Sequence, residues 1–417
     1  SDAGAEALLA RLGIRRASSL PVFLEALKLA HQFGQLASNR LASISCSGGE
    51  AALAADSAHF TSLVFPPLNS RQHAELSAAL GPMVALANPL DYHTYIWRDE
   101  KAMTKAWAAM ADPDIALTLL ISDYPRADIC DPNDWDCVTN AAISAAQITQ
   151  RPYAVVASLG ELMPEHIAKM LMENGVAAIN GLDHGIQALD LLTRALPQDP
   201  VPVLLPGNDR SAELMDEHAA KQDLAQHGLH VPRGTMALDR VTAANQALEV
   251  GFPVALKVLG LAHKTGFNGL ALDLNSNDEI KAALLQLAPG RVLVEHMVTG
   301  AVAELLVGIT RDPAHGFVLT LAAGGTMTEL REDSACLLVP AARGHITAAL
   351  NSLKMAPLLY GYRGKPCVNF DAILDAIDAV QSYVLANKDS VEEVEINPLI
   401  CTAQTAVAVD ALIRKTQ

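Results

Sequence analysis

Five short apolar runs, separated by stretches with helical periodicity, constrain the first half of this chain more than any other feature. They fall at residues 41–45, 83–87, 115–121, 153–157 and 176–179. They are too uniformly apolar to have one face in water. Strands of that kind are buried on both faces, which calls for a parallel sheet covered by helices on each side. The rhythm stops near Leu196, and residues 197–207, rich in proline, read as a linker.

Beyond the linker the pattern changes. A helix is expected over 211–227, with Gly228 as its stop. Strands then crowd together at 254–258, 269–274, 292–297, 304–310 and 316–322. Helices are expected at 346–353 and 370–384, before a closing hairpin of 391–396 and 406–410. This is an α+β layout. The expected organisation is a helical tail of a preceding domain at 1–37, a parallel-sheet domain at 38–197, a linker at 198–207 and a second domain at 208–417.

Composition narrows the function. The formal charge is −16, which argues against a general nucleic-acid surface. No apolar run approaches the ~18–20 residues of a membrane helix. The six cysteines form no CxxC pair and read as reduced thiols, so a cytoplasmic location is expected. The first residue is Ser1 rather than Met, and a fragment of a longer chain is expected.

Several motifs carry chemistry. In the closing hairpin, Glu395-Ile396-Asn397-Pro398 and Asp410 would bring an amide oxygen beside a carboxylate, hard donors that suit Mg²⁺. Lys257 lies in an apolar strand, where a lysine needs a partner, and phosphate oxygens would serve. The loop His263-Lys264-Thr-Gly-Phe-Asn-Gly269 could close over phosphates, with Lys264 as a second cation. Together these features read as machinery for a nucleoside triphosphate. Glu304 sits in an apolar strand and could accept from a ribose hydroxyl. Glu329 and Asp333, after Gly324-Gly325, could support metal or phosphate geometry. Gly361-Tyr362-Arg363-Gly364 is either a phosphate contact or a plain turn.

In the first half, Ser47-Gly48-Gly49 joins a strand to a helix, and a helix N-terminus with glycines suits a phosphoryl group. It could equally be a tight turn that binds nothing. Asp91, Tyr92, His93, Tyr95 and Trp97 form a ring-rich cluster in a chain with only 4% aromatics. They read as a substrate wall or as a loop plug.

In order along the chain, these motifs resemble the NDP-forming (ADP-forming) acyl-CoA synthetase family, related to succinyl-CoA synthetase. Gly48-Gly49 with Asp56, Asn88-Pro-Leu-Asp91, Glu217 to Lys221, His263-Lys264, Glu304, Gly324-Gly325, Glu329 and Asp333, and Glu395-Ile-Asn397-Pro carry the resemblance. It implies a flavodoxin-like ligase domain followed by an ATP-grasp domain. It also implies the cofactors ATP, Mg²⁺ and coenzyme A, and acid–CoA ligation through a phosphohistidine and an acyl phosphate, with a later elimination possible. Lys221, Lys257, Lys264 and Glu304 would contact ATP. Glu295 and Met297 lie in the 294–298 segment that would face adenine. Asn397 and Asp410 would hold Mg²⁺, the Gly48-Gly49 helix would receive the phosphohistidine, and His263 and Glu329 would be catalytic. The CoA-binding portion and the phosphohistidine are expected on an N-terminal portion that precedes Ser1. A carboxylic acid, that N-terminal portion and a second copy of the chain are the expected partners. The chain departs from the family pattern at Gly266, Asn268 and Leu337. Another ATP-grasp carboxylate ligase and a nucleotide-binding regulator are the competing readings.

Overall fold

Two helices open the chain and join different units. The computed structural model describes residues 1–193, 202–204, 211–259, 269–325, 333–364 and 366–416. Helix α1 (Asp2–Arg11) belongs with Gln198–Gln417, while α2 (Leu20–Phe33) belongs with Ile14–Pro197. The segment 1–37 is therefore divided between the two units. Arg11 explains the first attachment, since its guanidinium donates to the carbonyls of Leu338 and Pro340.

The unit Ile14–Pro197 is built on β1 (Leu41–Ser45), β2 (Leu90–Asp91), β3 (Leu117–Ile121), β4 (Tyr153–Ala157) and β5 (Val176–Asn180). All pairs are parallel, in the order β2-β1-β3-β4-β5. That order is the flavodoxin-like one, with the reversal between β1 and β3. Alternate residues of each strand feed opposite cores. Ile44, Leu120 and Val155 pack with α4 (Ser70–Leu80), α5 (Glu100–Met110), α6 (Asp136–Thr149) and α7 (Glu165–Glu173). Leu41, Leu119 and Val156 pack with α2, α3 (Gly48–Ala58) and α8 (Leu182–Thr193).

The strand expected at 83–87 does not form, and the two-residue β2 holds the edge instead. The cause is Asn88. Its side-chain oxygen takes the Ser43 N–H at 3.0 Å, and its amide donates to the Leu41 carbonyl at 2.9 Å. A side chain thus satisfies the β1 edge that a backbone ladder would otherwise fill.

Among the described residues, the larger unit holds two antiparallel sheets. Four strands run β7-β10-β8-β9: β7 (Gly234–Ala237), β8 (Val254–Val258), β9 (Leu270–Leu274) and β10 (Val292–His296). Helices α10 (Arg240–Val250) and α11 (Asn277–Gln286) cover it through Ala247, Ile280 and Leu284. The second sheet runs β13-β12-β11-β14-β16-β6, with β15 on β14. Its strands are β6 (Glu213–Leu214), β11 (Ala303–Asp312), β12 (Gly316–Ala323), β13 (Ser334–Leu338), β14 (Val391–Cys401), β15 (Ala406–Ala408) and β16 (Ala411–Lys415). Helix α9 (Glu217–Gln226) and the helix Phe370–Ala386 pack on it. The helix expected from 211 starts only at Glu217, where Asp216 caps it by accepting from the His218 N–H. The expected linker at 198–207 lies largely outside the described residues.

Candidate functional site

Lys257 lies near the end of β8, between Leu293 of β10 and Leu270 of β9. Its side chain enters a buried group of four charges. Glu217 and Lys221 come from the first two turns of α9, four residues apart on one face. Glu295 comes from β10. Lys221 is 1% exposed, Glu295 3%, Lys257 5% and Glu217 7%. The Lys221 ammonium lies 2.6 Å from Glu295 and 2.7 Å from Glu217. That of Lys257 lies 3.0 Å from Glu295 and 3.2 Å from Glu217, and it also donates to the Val409 carbonyl. An ammonium has three donors, and those of Lys257 all have acceptors. Burial opposes the charge on Lys257, but Glu295, Glu217 and Asp410 outweigh it and hold its pKa up. Burial and then Lys257 draw Lys221 down, against Glu295 and Glu217. The phosphate partner expected for Lys257 from sequence is here a pair of carboxylates and a carbonyl.

Val409 leads to the second feature. Against β11, Leu305 pairs with Leu399 and Val307 with Ile396, so Asn397 and Pro398 together oppose Leu306. That extra residue is a β-bulge, a device that re-aims a side chain. The Asn397 N–H donates to the Asp410 carbonyl at 3.3 Å, which sets the two residues side by side. The Asn397 side-chain oxygen accepts from the Gly325 N–H at 3.1 Å. Gly325 has φ +87°, and a Cβ there would stand 2.6 Å from a Glu304 carboxylate oxygen. Glycine is therefore required by both dihedral and space. Nearby, burial and then Glu393 raise the Glu395 pKa, with Asp410 adding to the effect. An amide oxygen and a carboxylate, both hard donors, fit Mg²⁺, which takes few protein ligands. Among the described residues, no cluster of three or more His, Cys, Asp or Glu side chains is arranged for a metal.

Of the other expected residues, Glu304 stands beside Gly325, whose N–H reaches Asn397, while Met297, Asp333 and Arg363 make contacts of their own. Met297 follows β10, and its N–H donates to the Pro253 carbonyl at 2.8 Å. Glu304 is exposed on β11. Asp333 accepts from the Lys354 and Met355 N–H groups, so it braces a turn. Arg363 is exposed and lies over the Tyr362 ring. His263, Lys264, Gly266, Asn268 and Glu329 lie outside the described residues.

In the parallel-sheet unit, β1 ends at the reversal point of strand order, where ligands of open α/β sheets bind. Ser47 caps α3 by accepting from the Gly49 N–H at 3.2 Å. A Cβ on Gly48 would lie 3.2 Å from an Asp91 carboxylate oxygen, so Asp91 stands close to the start of the helix. Asp91 also accepts from the His93 N–H at 2.8 Å. Asp123, just past β3, accepts from the Ser158 N–H and hydroxyl. Glu50, in the first turn of α3, has its pKa pushed up to about 7 by burial, then by Asp123 and Asp91. Burial and then Glu50 raise Cys46 to about 11. Sequence reasoning missed Glu50 and Asp123. Their positions just past β1 and β3 were the available signal.

The aromatic cluster divides. Tyr92 is 2% exposed and packs in the core beside Trp107, with ring centres 6.3 Å apart. Trp97 meets Trp135, unnoticed in the sequence, at 5.3 Å and 76°. Tyr95 is 58% exposed. Of the predicted wall, Tyr95 presents its ring to solvent and Tyr92 does not.

Two curated proteins resemble this chain along nearly its whole length, and others along about half of it. The ATP-grasp domain family matches residues 208–414. A trans-feruloyl-CoA synthase from an unknown prokaryotic organism is 25% identical over 97% of this chain and 60% of its own length. The ADP-forming acetate–CoA ligase of Methanocaldococcus jannaschii is 22% identical over 94% of this chain and 60% of its own length. The beta subunit of the ADP-forming acetate–CoA ligase II of Pyrococcus furiosus is 28% identical over 48% of this chain and 90% of its own length. The chain thus spans 60% of the length of the two relatives that match nearly all of it. It carries an ATP-grasp domain after a flavodoxin-like sheet, and it is similar to ADP-forming acetate–CoA ligases and to a feruloyl-CoA synthase.

Proposed function

We propose that this chain serves ATP-dependent ligation of a carboxylic acid to coenzyme A. The observation that carries the reading is the pairing, in one chain, of an ATP-grasp domain with a parallel-sheet unit whose first helix opens on Gly48-Gly49 at the reversal of strand order. The 97% coverage by a trans-feruloyl-CoA synthase supports it.

The γ-phosphoryl group of ATP passes to a histidine, and a carboxylate oxygen then attacks that phosphorus and releases the imidazole. The CoA thiolate next attacks the acyl carbon and phosphate leaves. Lys257 lies beside the phosphate chain, and Glu304 accepts from the ribose. The 294–298 segment with Met297 borders the adenine. Asn397 and Asp410 would hold Mg²⁺, which neutralises phosphate oxygens when bound. The N-terminus of α3 at Gly48-Gly49 takes the phosphoryl group on its partial positive charge. Asp91 and Tyr95 border the acid. His263 and Glu329 keep their proposed catalytic roles, and Lys264 its proposed contact with ATP.

The test is calorimetry with MgATP, followed by mass spectrometry for ADP and thioester. The chain is given CoA and a panel of aliphatic and aryl acids, alone and with a relative's CoA-binding portion supplied. MgATP binding is expected of the chain alone, and thioester formation when the portion carrying the CoA site and the phosphohistidine is supplied. No binding overturns the reading, and an amide product instead of a thioester points to a different ATP-grasp ligase. Asp410→Asn should weaken Mg²⁺-dependent phosphorylation more than metal-free nucleotide binding. Equal weakening of both would remove Asp410 from the metal site.

A further inference from the structure

We propose that the buried quartet of Glu217, Lys221, Lys257 and Glu295 sets the charge behind the phosphate subsite, with Glu217 and Lys221 as positioning residues that never touch nucleotide. This rests on the reading that Lys257 lies beside the phosphate chain.

The geometry carries the argument. Both Lys221 and Lys257 lie within 3.2 Å of the same Glu217 oxygen. Both also reach Glu295, Lys221 at 2.6 Å and Lys257 at 3.0 Å. Two ammonium groups and two carboxylates sum to zero. Lys221 spends its donors on carboxylates at 2.6, 2.7 and 2.9 Å, and at 1% exposure it has no route to a ligand. Lys257 differs, because one of its acceptors is the Val409 carbonyl, next to Asp410. It therefore ties the quartet to the strand break that carries the proposed Mg²⁺ ligand. The quartet also joins the two sheets of this unit. Lys257 and Glu295 belong to the four-stranded sheet, and Glu217 and Lys221 to the helix packed on the larger one.

A zero-sum quartet lets Lys257 attract phosphate without an excess of fixed positive charge that would retain ADP. Removing either α9 residue breaks the balance in opposite directions. Glu217→Gln leaves one buried positive charge, and Lys221→Met leaves one buried negative charge. At the effective dielectric of a protein interior, a unit charge this close to a phosphate chain changes affinity by roughly tenfold or more.

The experiment is calorimetry of wild type, Glu217→Gln, Lys221→Met and the double variant with MgATP, MgADP and adenosine at fixed ionic strength. Glu217→Gln should bind MgATP and MgADP about tenfold tighter, and Lys221→Met about tenfold weaker. The double variant should fall between them. Adenosine, which has no phosphate, should bind all four alike. Equal-sign shifts in the two single variants, or adenosine shifts as large as those of ATP, would mean a purely structural quartet and overturn the proposal. If Lys221→Met does not fold, Glu217→Gln decides alone, and failure to tighten MgADP is the overturning result. A wild type that does not bind MgATP would instead sink the nucleotide reading on which this rests.

Discussion

The two candidate sites of this chain handle charge in opposite ways. At the carboxyl edge of the parallel sheet, Glu50, Asp91 and Asp123 gather around the start of a helix, and their mutual repulsion helps keep a proton on Glu50. In the ATP-grasp unit, the more deeply buried carboxylates Glu217 and Glu295 are each matched by a lysine. The first site is tuned by protonation and so by pH. The second is tuned by fixed cations and should hold its charge across the neutral range.

The largest expected effect comes from breaking the balanced site. Lys257→Ala leaves Glu217 and Glu295 with Lys221 as their remaining ammonium in the quartet. Breaking a buried pair by removing one partner costs about 3–5 kcal/mol. Thermal unfolding should show that loss. Calorimetry should show MgATP affinity reduced at least about tenfold, since a unit positive charge beside the phosphate chain is lost. A stable variant with unchanged MgATP affinity would erase the contrast between the two sites.

A smaller effect is expected where the carboxylates crowd. The Glu50 pKa is raised from 4.5 to about 7 in the folded chain. Over that window the unfolded chain has released the proton while the folded chain keeps it, so stability falls as pH rises from 4.5 to about 7. Glu50 is only half-buried, and solvent screening reduces the effect to about 1 kcal/mol. Glu50→Gln should remove this slope and be the more stable protein at pH 8, by thermal unfolding at pH 5 and pH 8. An unchanged slope would mean that Glu50 is ionised like a surface carboxylate.

Much of the fold was legible in sequence, less of this contrast, and the reasons for the remainder are physical. Residues 41–45, 153–157 and 254–258 read as strands because every position is buried. The edge strands β7 and β13 are partly exposed, and no periodicity announced them. Residues 83–87 have strand composition, but the Asn88 side chain took the pairing they would have made. The need of Lys257 for a partner was readable. That the partners are Glu217 and Glu295 depends on tertiary pairing, which one-dimensional spacing does not encode. Asn397 beside Asp410 was readable because a hairpin is local. The bulge that turns Asn397 was not, because it is defined against β11.

The smallest effect separates two neighbouring rings in the pH-tuned unit. Trp97 is half-buried and meets Trp135 edge to face at 5.3 Å, whereas Tyr95 is 58% exposed. An aromatic pair contributes ~0.5–1.5 kcal/mol beyond its buried area. Trp97→Ala should therefore lower stability by at least about 1 kcal/mol, while Tyr95→Ala should leave unfolding within about 0.5 kcal/mol of wild type. If the segment borders the acid, Tyr95→Ala raises the KM for the acid a few-fold and leaves that for ATP unchanged. Trp97→Ala raises it too, through loss of the wall that fixes the segment. Steady-state kinetics with acid and ATP varied in turn, beside thermal unfolding of both variants, distinguishes the roles. A Tyr95→Ala variant with wild-type KM for every acid tested would leave the 91–97 segment as a plug held by Trp97 and Trp135.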